Sequence, residues 1–208
     1  MPTTVCEKLI STTMPMKIRS KKRVIVEGKD GRRPVTRVVG LFQRANYINS
    51  NGRMYPKEVL EEAIKNLQEG IKKRSVLGEL GHPDTAKVNL ERTSHLVTKV
   101  WMEGNNVYGE CEILEDMPSG RMLKTLIDND VCISVSSRGT GDLEMIREGN
   151  QDYMKVLPGY SIVTWDAVHE PSVAGTELAV LESKGHKINL VEQYERELLA
   201  EIRKRMQV

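Results

Sequence analysis

Residues 96–114 read LVTKVWMEGNNVYGECEIL. Two apolar runs, Leu96–Met102 and Val107–Leu114, flank EGNN, whose Gly-Asn pair suits a tight reversal between strands. The spacing predicts a β-hairpin, and the same pattern recurs along the chain. Val24–Val26 and Val35–Phe42 are β-branched runs separated by GKDGRRP, which has the Gly, Asp and Pro content of a turn. Asp142–Arg147 and Tyr153–Leu157 flank EGNQ as a second hairpin, and GYSIVTWDAV (159–168) predicts a further strand.

Helical periodicity interrupts the strands in three places. Behind Pro56, the residues Val59, Leu60, Ala63, Ile64, Leu67 and Ile71 recur at helical spacing, with charged residues on the opposite face. Pro118–Asn129 predicts a short second helix. Near the C-terminus, Asn189 and Glu192 have capping-box spacing, and Leu190, Tyr194, Leu198, Ile202 and Met206 repeat every four residues as one apolar stripe. The stripe has two readings: packing on the domain, or docking with another protein or another copy. Many short strands with two or three helices predict an α+β fold, a mainly antiparallel β-barrel or strongly curved sheet with surrounding helices. The expected divisions are a mobile basic tail over 1–22, one domain over 23–182, and a linker with an amphipathic helix over 183–208.

Composition narrows the function classes. A chain of 208 residues with 39% hydrophobic and 29% charged residues supports one buried core and excludes membrane-spanning and collagenous classes. A net charge of +2 is too balanced to predict nucleic-acid binding by the chain as a whole, although Lys17, Arg19, Lys21, Lys22 and Arg23 make the N-terminal region locally basic. Cys6, Cys111 and Cys132 form no C-x-x-C pair, so neither a disulfide framework nor a zinc ribbon is expected. No apolar block resembles a leader or a membrane span, which predicts an unexported, cytosolic protein.

Chemistry concentrates in three segments. In GELGHPD (78–84), two glycines and a proline constrain the backbone around His82, with Glu79 and Asp84 close enough to influence its proton. In VCISVSSRG (131–139), strand alternation puts Val131, Ile133, Val135 and Ser137 on one face and Cys132, Ser134, Ser136 and Arg138 on the other. Ser137 thus falls with the apolar residues, and Ser136 with the polar face. A serine becomes a nucleophile only with a base in reach, a group orienting that base, and donors for the developing oxyanion. His82 can supply the base. In SIVTWDAVHEPS (161–172), Asp166 interrupts an apolar strand pattern and is a candidate orienting group, with His169 and Glu170 as competitors.

Four blocks, NSNGRMYP (49–56), GELGHP (78–83), SVSSRG (134–139) and WDAVHEPS (165–172), in this order and spacing, resemble the signature blocks of tailed-bacteriophage prohead maturation proteases. These are serine endopeptidases related in fold to the herpesvirus assembly proteases. The resemblance covers about residues 36–174. It implies His82 as general base, Ser136 as nucleophile and Asp166 as third member, with Arg138 as an electrostatic helper near the oxyanion and Gly139 allowing close approach of backbone or substrate. It implies scaffold and major capsid proteins as substrates and a location inside assembling proheads in the host cytoplasm; no cofactor or metal is expected, and self-association is one of the readings of the C-terminal stripe. Cleavage after Glu, with an aliphatic residue two positions earlier, is also implied. Two internal segments fit that pattern, LQEG (67–70) and IREG (146–149), and the predicted turn around Glu148 and Gly149 makes the second the site of expected self-cleavage.

Three rival readings draw on the same residues. A metal-dependent hydrolase would use Glu79 and His82 with Asp84 or His95; it lacks an H-E-x-x-H or paired-cysteine pattern. A cysteine hydrolase would use Cys132. A non-enzymatic assembly scaffold would use the basic N-terminal region, which has no interleaved aromatics to stack bases.

Overall fold

The computed structural model describes residues 9–14, 23–28, 31–149, 151–169 and 179–180. Its first half carries β1 (Leu9–Met14), β2 (Arg23–Gly28), β3 (Gly31–Arg44), β4 (Arg53–Met54), helix α1 (Lys57–Lys72), β5 (Leu77–Glu79), β6 (Thr93–Glu103) and β7 (Asn106–Ile113). The second half carries helix α2 (Pro118–Asp128), β8 (Ser134–Thr140), β9 (Leu143–Glu148), β10 (Gln151–Val156), β11 (Ser161–Val168) and β12 (Ala179–Val180).

The opening stretch forms the β6–β7 hairpin, antiparallel from His95↔Ile113 to Glu103↔Asn106. Gly104 turns the chain at φ 59°, a conformation in which glycine suffers no Cβ clash. On one side β7 pairs with β3, which also pairs with β2 and β12; on the other, β6 pairs with β5. The result is one six-stranded sheet. A second sheet has the order β1-β8-β11, and a small third one has β4-β10-β9.

The apolar faces of these sheets and of α1 and α2 meet in one core. Val59, Leu60, Ala63 and Ile64 of α1 and Leu123 and Ile127 of α2 are buried there. Phe42 of β3 packs on Trp165 of β11 with ring centroids 5.2 Å apart, so aromatic contact ties the first sheet to the second. Burying a side chain such as Leu60, which is fully inaccessible, contributes roughly 1.5–3 kcal/mol.

The sheets are not closed into a barrel, which corrects that part of the expected architecture. Between the six-stranded sheet and the β1-β8-β11 sheet lies a seam that, among the described residues, has a single parallel bridge, Leu80↔Ala167, and a 2.8 Å hydrogen bond from Gly81 N–H to Ala167 O. Pairing stops there for a local reason. Gly81 takes φ 83°, which turns the chain out of the strand direction, and Pro83 has no N–H with which to continue a ladder. The turn delivers His82 to the seam.

At the same seam, Gly78 of β5 is where three strands converge. A Cβ on Gly78 would lie 2.1 Å from His95 Nε2 of β6 and 2.4 Å from Trp165 O of β11. Residues 9–14, expected within a tail, instead form β1 alongside β8, with Thr13 as the Cα partner of Ser136. The C-terminal stripe, the linker and the basic residues Lys17 to Lys22 lie outside the described residues. No helix among the described residues is long and apolar enough to cross a membrane.

Candidate active site

Strand β8 displays the alternation its sequence predicts. Ser136 and Asp166 are direct Cα partners across β8 and β11, and directly opposed residues of an antiparallel pair project to the same face. Trp165 and Ser137 are partners on the opposite face, where the Trp165 ring meets Phe42. Ser137 is therefore the core-side hydroxyl. Its Oγ is buried near the Tyr160 hydroxyl and, among the described residues, lacks a well-formed hydrogen bond.

Asp166 is fully buried, and all its described partners are donors. Its Oδ1 accepts the Glu79 backbone N–H at 3.0 Å and Arg138 Nη2 at 2.9 Å. Its Oδ2 faces His82 Nδ1 at 2.9 Å. An ionised carboxylate can only accept, so Nδ1 carries the proton and the neutral imidazole has its lone pair on Nε2. That nitrogen is buried and has no hydrogen-bond partner among the described residues. A base poised in this way can take a proton from a neighbouring hydroxyl, and Ser136 shares the face that Asp166 presents.

Arg138 is also inaccessible to solvent. Its Nη2 bridges Asp166 Oδ1 and Glu79 Oε1, each at 2.9 Å, while Nη1 donates to the carbonyls of Thr85 at 2.9 Å and Lys87 at 3.2 Å. Both Nη groups of the guanidinium thus donate to acceptors within the protein. Gly139 does permit a close approach, made by the protein itself. A Cβ there would lie 2.6 Å from both Ser161 O and the Tyr160 hydroxyl.

The remaining candidates separate cleanly. His169 is exposed, and Glu170 lies outside the described residues. Cys132 is exposed and precedes β8. The trio of the metal-hydrolase reading is engaged elsewhere: Glu79 with Arg138, His82 with Asp166, and His95 with Ser94 and Trp165. Glu148 and Gly149 stand exposed at the β9–β10 turn, whereas LQEG is part of α1. In NSNGRMYP, Asn49 Oδ1 accepts the N–H groups of Asn51 and Arg53 at 2.9 and 3.0 Å, Gly52 turns at φ 66°, and Tyr55 is buried against Tyr160.

Two residues have roles here beyond those their sequence context suggests. Glu79, fully buried, balances the charge of Arg138. His95, also buried, donates from Nε2 to Trp165 O at 2.9 Å and accepts the Ser94 hydroxyl on Nδ1 at 2.9 Å, pinning the backbone one residue from Asp166. Burial holds the His95 pKa below its ordinary value, although the Asp166 charge and the Trp165 carbonyl pull it upward. The available signal was a charged residue inside a strand pattern: an arginine and two acids that all fall in apolar segments must find one another.

A family model described as prohead core protein serine protease matches residues 6–183. The chain belongs to that family. It is 37% identical over 150 residues to the prohead core protein protease of Enterobacteria phage T4, an alignment spanning 70% of this chain and 69% of that protein. Among solved structures, that of the bacteriophage T4 capsid assembly protease, gp21, superposes with a TM-score of 0.69 at 30% identity, covering 77% of this chain and 97% of the other. The family match begins at residue 6, so it takes in β1 as well as the strands that carry Ser136 and Asp166.

Proposed function

We propose that this prohead core protease cuts peptide bonds with Ser136 as nucleophile, His82 as general base and Asp166 as the group that holds the imidazole. The observation that carries this reading is the 2.9 Å approach of His82 Nδ1 to Asp166 Oδ2, with Asp166 paired strand to strand with Ser136. Ser136 Oγ attacks the scissile carbonyl carbon while His82 Nε2 accepts its proton. The imidazolium so formed faces the Asp166 carboxylate, then gives the proton to the departing amine. Water, deprotonated by the same nitrogen, releases the acyl group from Ser136. The order His, Ser, Asp along the chain presents no obstacle, because such a triad is defined by roles and geometry.

The substrates in this reading are scaffold and capsid proteins of an assembling phage head in the host cell, cut after Glu. The fold kinship with herpesvirus assembly proteases belongs to the same reading. Self-cleavage after Glu148 fits the exposed β9–β10 turn, in contrast to the helical LQEG segment. The test is a parallel assay of a scaffold fragment containing glutamate with wild type, His82→Ala, Ser136→Ala and Ser137→Ala. The first two variants lose cleavage and Ser137→Ala keeps it; full-speed cutting by Ser136→Ala overturns the mechanism. Mapping new N-termini in incubated wild type tests the self-cleavage, which is wrong if Glu148–Gly149 stays intact after complete substrate processing.

A further inference from the structure

We propose that Glu79 and Arg138 are a positioning pair for the catalytic acid, an inference that rests on the triad reading above. Neither residue has solvent access, and their 2.9 Å ion pair is buried with Asp166. A buried ion pair is a poor source of stability, because desolvating two charges offsets most of their attraction. Its retention beside a reactive site therefore calls for another explanation, and the hydrogen-bond pattern supplies one.

Asp166 Oδ1 receives two donors, Arg138 Nη2 and the N–H of Glu79 itself. With Oδ1 held on two sides, the carboxylate cannot rotate, and Oδ2 is left to His82. The same pair also grips the segment that carries the histidine. Arg138 Nη1 holds the carbonyls of Thr85 and Lys87, and Glu79 Oε1 accepts the N–H of Asn89 at 2.9 Å. The base and its orienting acid are thus anchored to one guanidinium–carboxylate unit. Charge completes the argument. Arg138 alone would neutralise Asp166 and weaken its hold on an imidazolium; Glu79 offsets the guanidinium charge, while Arg92, whose Nε lies 3.5 Å from Glu79 Oε2, is half-exposed and screened by solvent. Lysine cannot replace this fork, since one guanidinium supplies planar donors in two directions at once.

The experiment measures kcat and KM on the scaffold fragment for Glu79→Gln, Arg138→Lys and the double variant Glu79→Met/Arg138→Met, with Ser136→Ala as reference. Folding of each is checked by circular dichroism, and the downfield His82 Nδ1–H resonance is followed by NMR. Expected are a kcat lowered about 10- to 100-fold, by analogy with the loss of outer partners of a metal-bound imidazole, KM within about twofold of wild type, loss or shift of the imidazole resonance, and no rescue by Arg138→Lys. A folded Glu79→Gln with wild-type kcat and an unmoved resonance overturns the proposal. Should Glu79→Gln not fold, the double variant, which leaves no lone buried charge of the pair, decides: wild-type kcat overturns the inference and a selective kcat loss supports it. An active Ser136→Ala instead removes the triad reading on which the pair depends, a result distinct from an inactive Ser136→Ala combined with fully active pair variants.

Discussion

His82 sits in the turn that follows β5 and Asp166 on β11 of another sheet, yet Nδ1 and Oδ2 stand 2.9 Å apart. This contact fixes which imidazole nitrogen holds the proton. Asp166→Asn removes the charge and presents an amide that can donate to Nδ1, favouring the wrong tautomer. The expected outcome is a kcat lower by about 10⁴-fold with KM little changed, the size of effect seen when such an acid is amidated. Steady-state rates on a scaffold fragment check it, and a loss smaller than tenfold would show that Asp166 does not orient the base.

Ser137 is the internal control for Ser136. Its hydroxyl is buried and lacks a well-formed hydrogen bond among the described residues, so removing it withdraws a desolvated group at little cost. Ser137→Ala should keep kcat within about twofold and change unfolding free energy by no more than about 1 kcal/mol in either direction. Denaturant titration alongside the activity assay measures both.

Gly78 has no room for a methyl group. With a Cβ placed 2.1 Å from His95 Nε2 and 2.4 Å from Trp165 O, Gly78→Ala must push β5 away from β6 or β11. The expected cost is at least the roughly 1–3 kcal/mol typical of overpacking, with a fall in activity because His82 follows β5 by three residues. A wild-type urea midpoint for this variant would contradict the convergence of the three strands.

Acid should loosen the fold through His95. Its folded pKa lies below the value of 6.5 that it regains on unfolding, so below about that pH the unfolded chain binds a proton that the folded one does not. Stability attributable to His95 is complete above that value and declines as pH falls toward the folded pKa. The slope is at most about 1.4 kcal/mol per pH unit. Unfolding free energies of wild type and His95→Gln between pH 5 and 8 measure the effect; the variant's profile should be flatter over that range.

How legible all this was in the sequence depended on distance along the chain. The β6–β7 hairpin, α1 and the β9–β10 hairpin follow from local periodicity and turn residues, and they lie within a few residues of their expected limits. The strand read from Val131 begins at Ser134. Asp130 takes φ 57° and Val131 N–H returns to Leu126 O at 3.0 Å, so the first apolar residues complete the exit from α2. Strand β1 was hidden because its partner lies more than a hundred residues away and LISTTM alternates weakly. The face assignment of Ser136 against Ser137 was readable, since alternation is a local rule. The destination of Arg138 was not, because its acceptors Glu79 and Asp166 lie 59 and 28 positions distant. A charge in a buried strand announces that it has a partner without saying which.

The seam between the two larger sheets has a consequence for control of the enzyme. Among the described residues its backbone stitching is the Leu80↔Ala167 bridge and the Gly81 hydrogen bond, while the polar side chains crossing it are His82, Glu79, Arg138 and His95. On the triad reading proposed above, docking of the sheets and completion of the cutting centre are one event. A slip of about 1 Å along this joint, enough to cost roughly 100-fold in rate, would leave each sheet's own ladder intact. Whatever prises the joint open would render the protease dormant without denaturing it, and whatever clamps it shut would arm it.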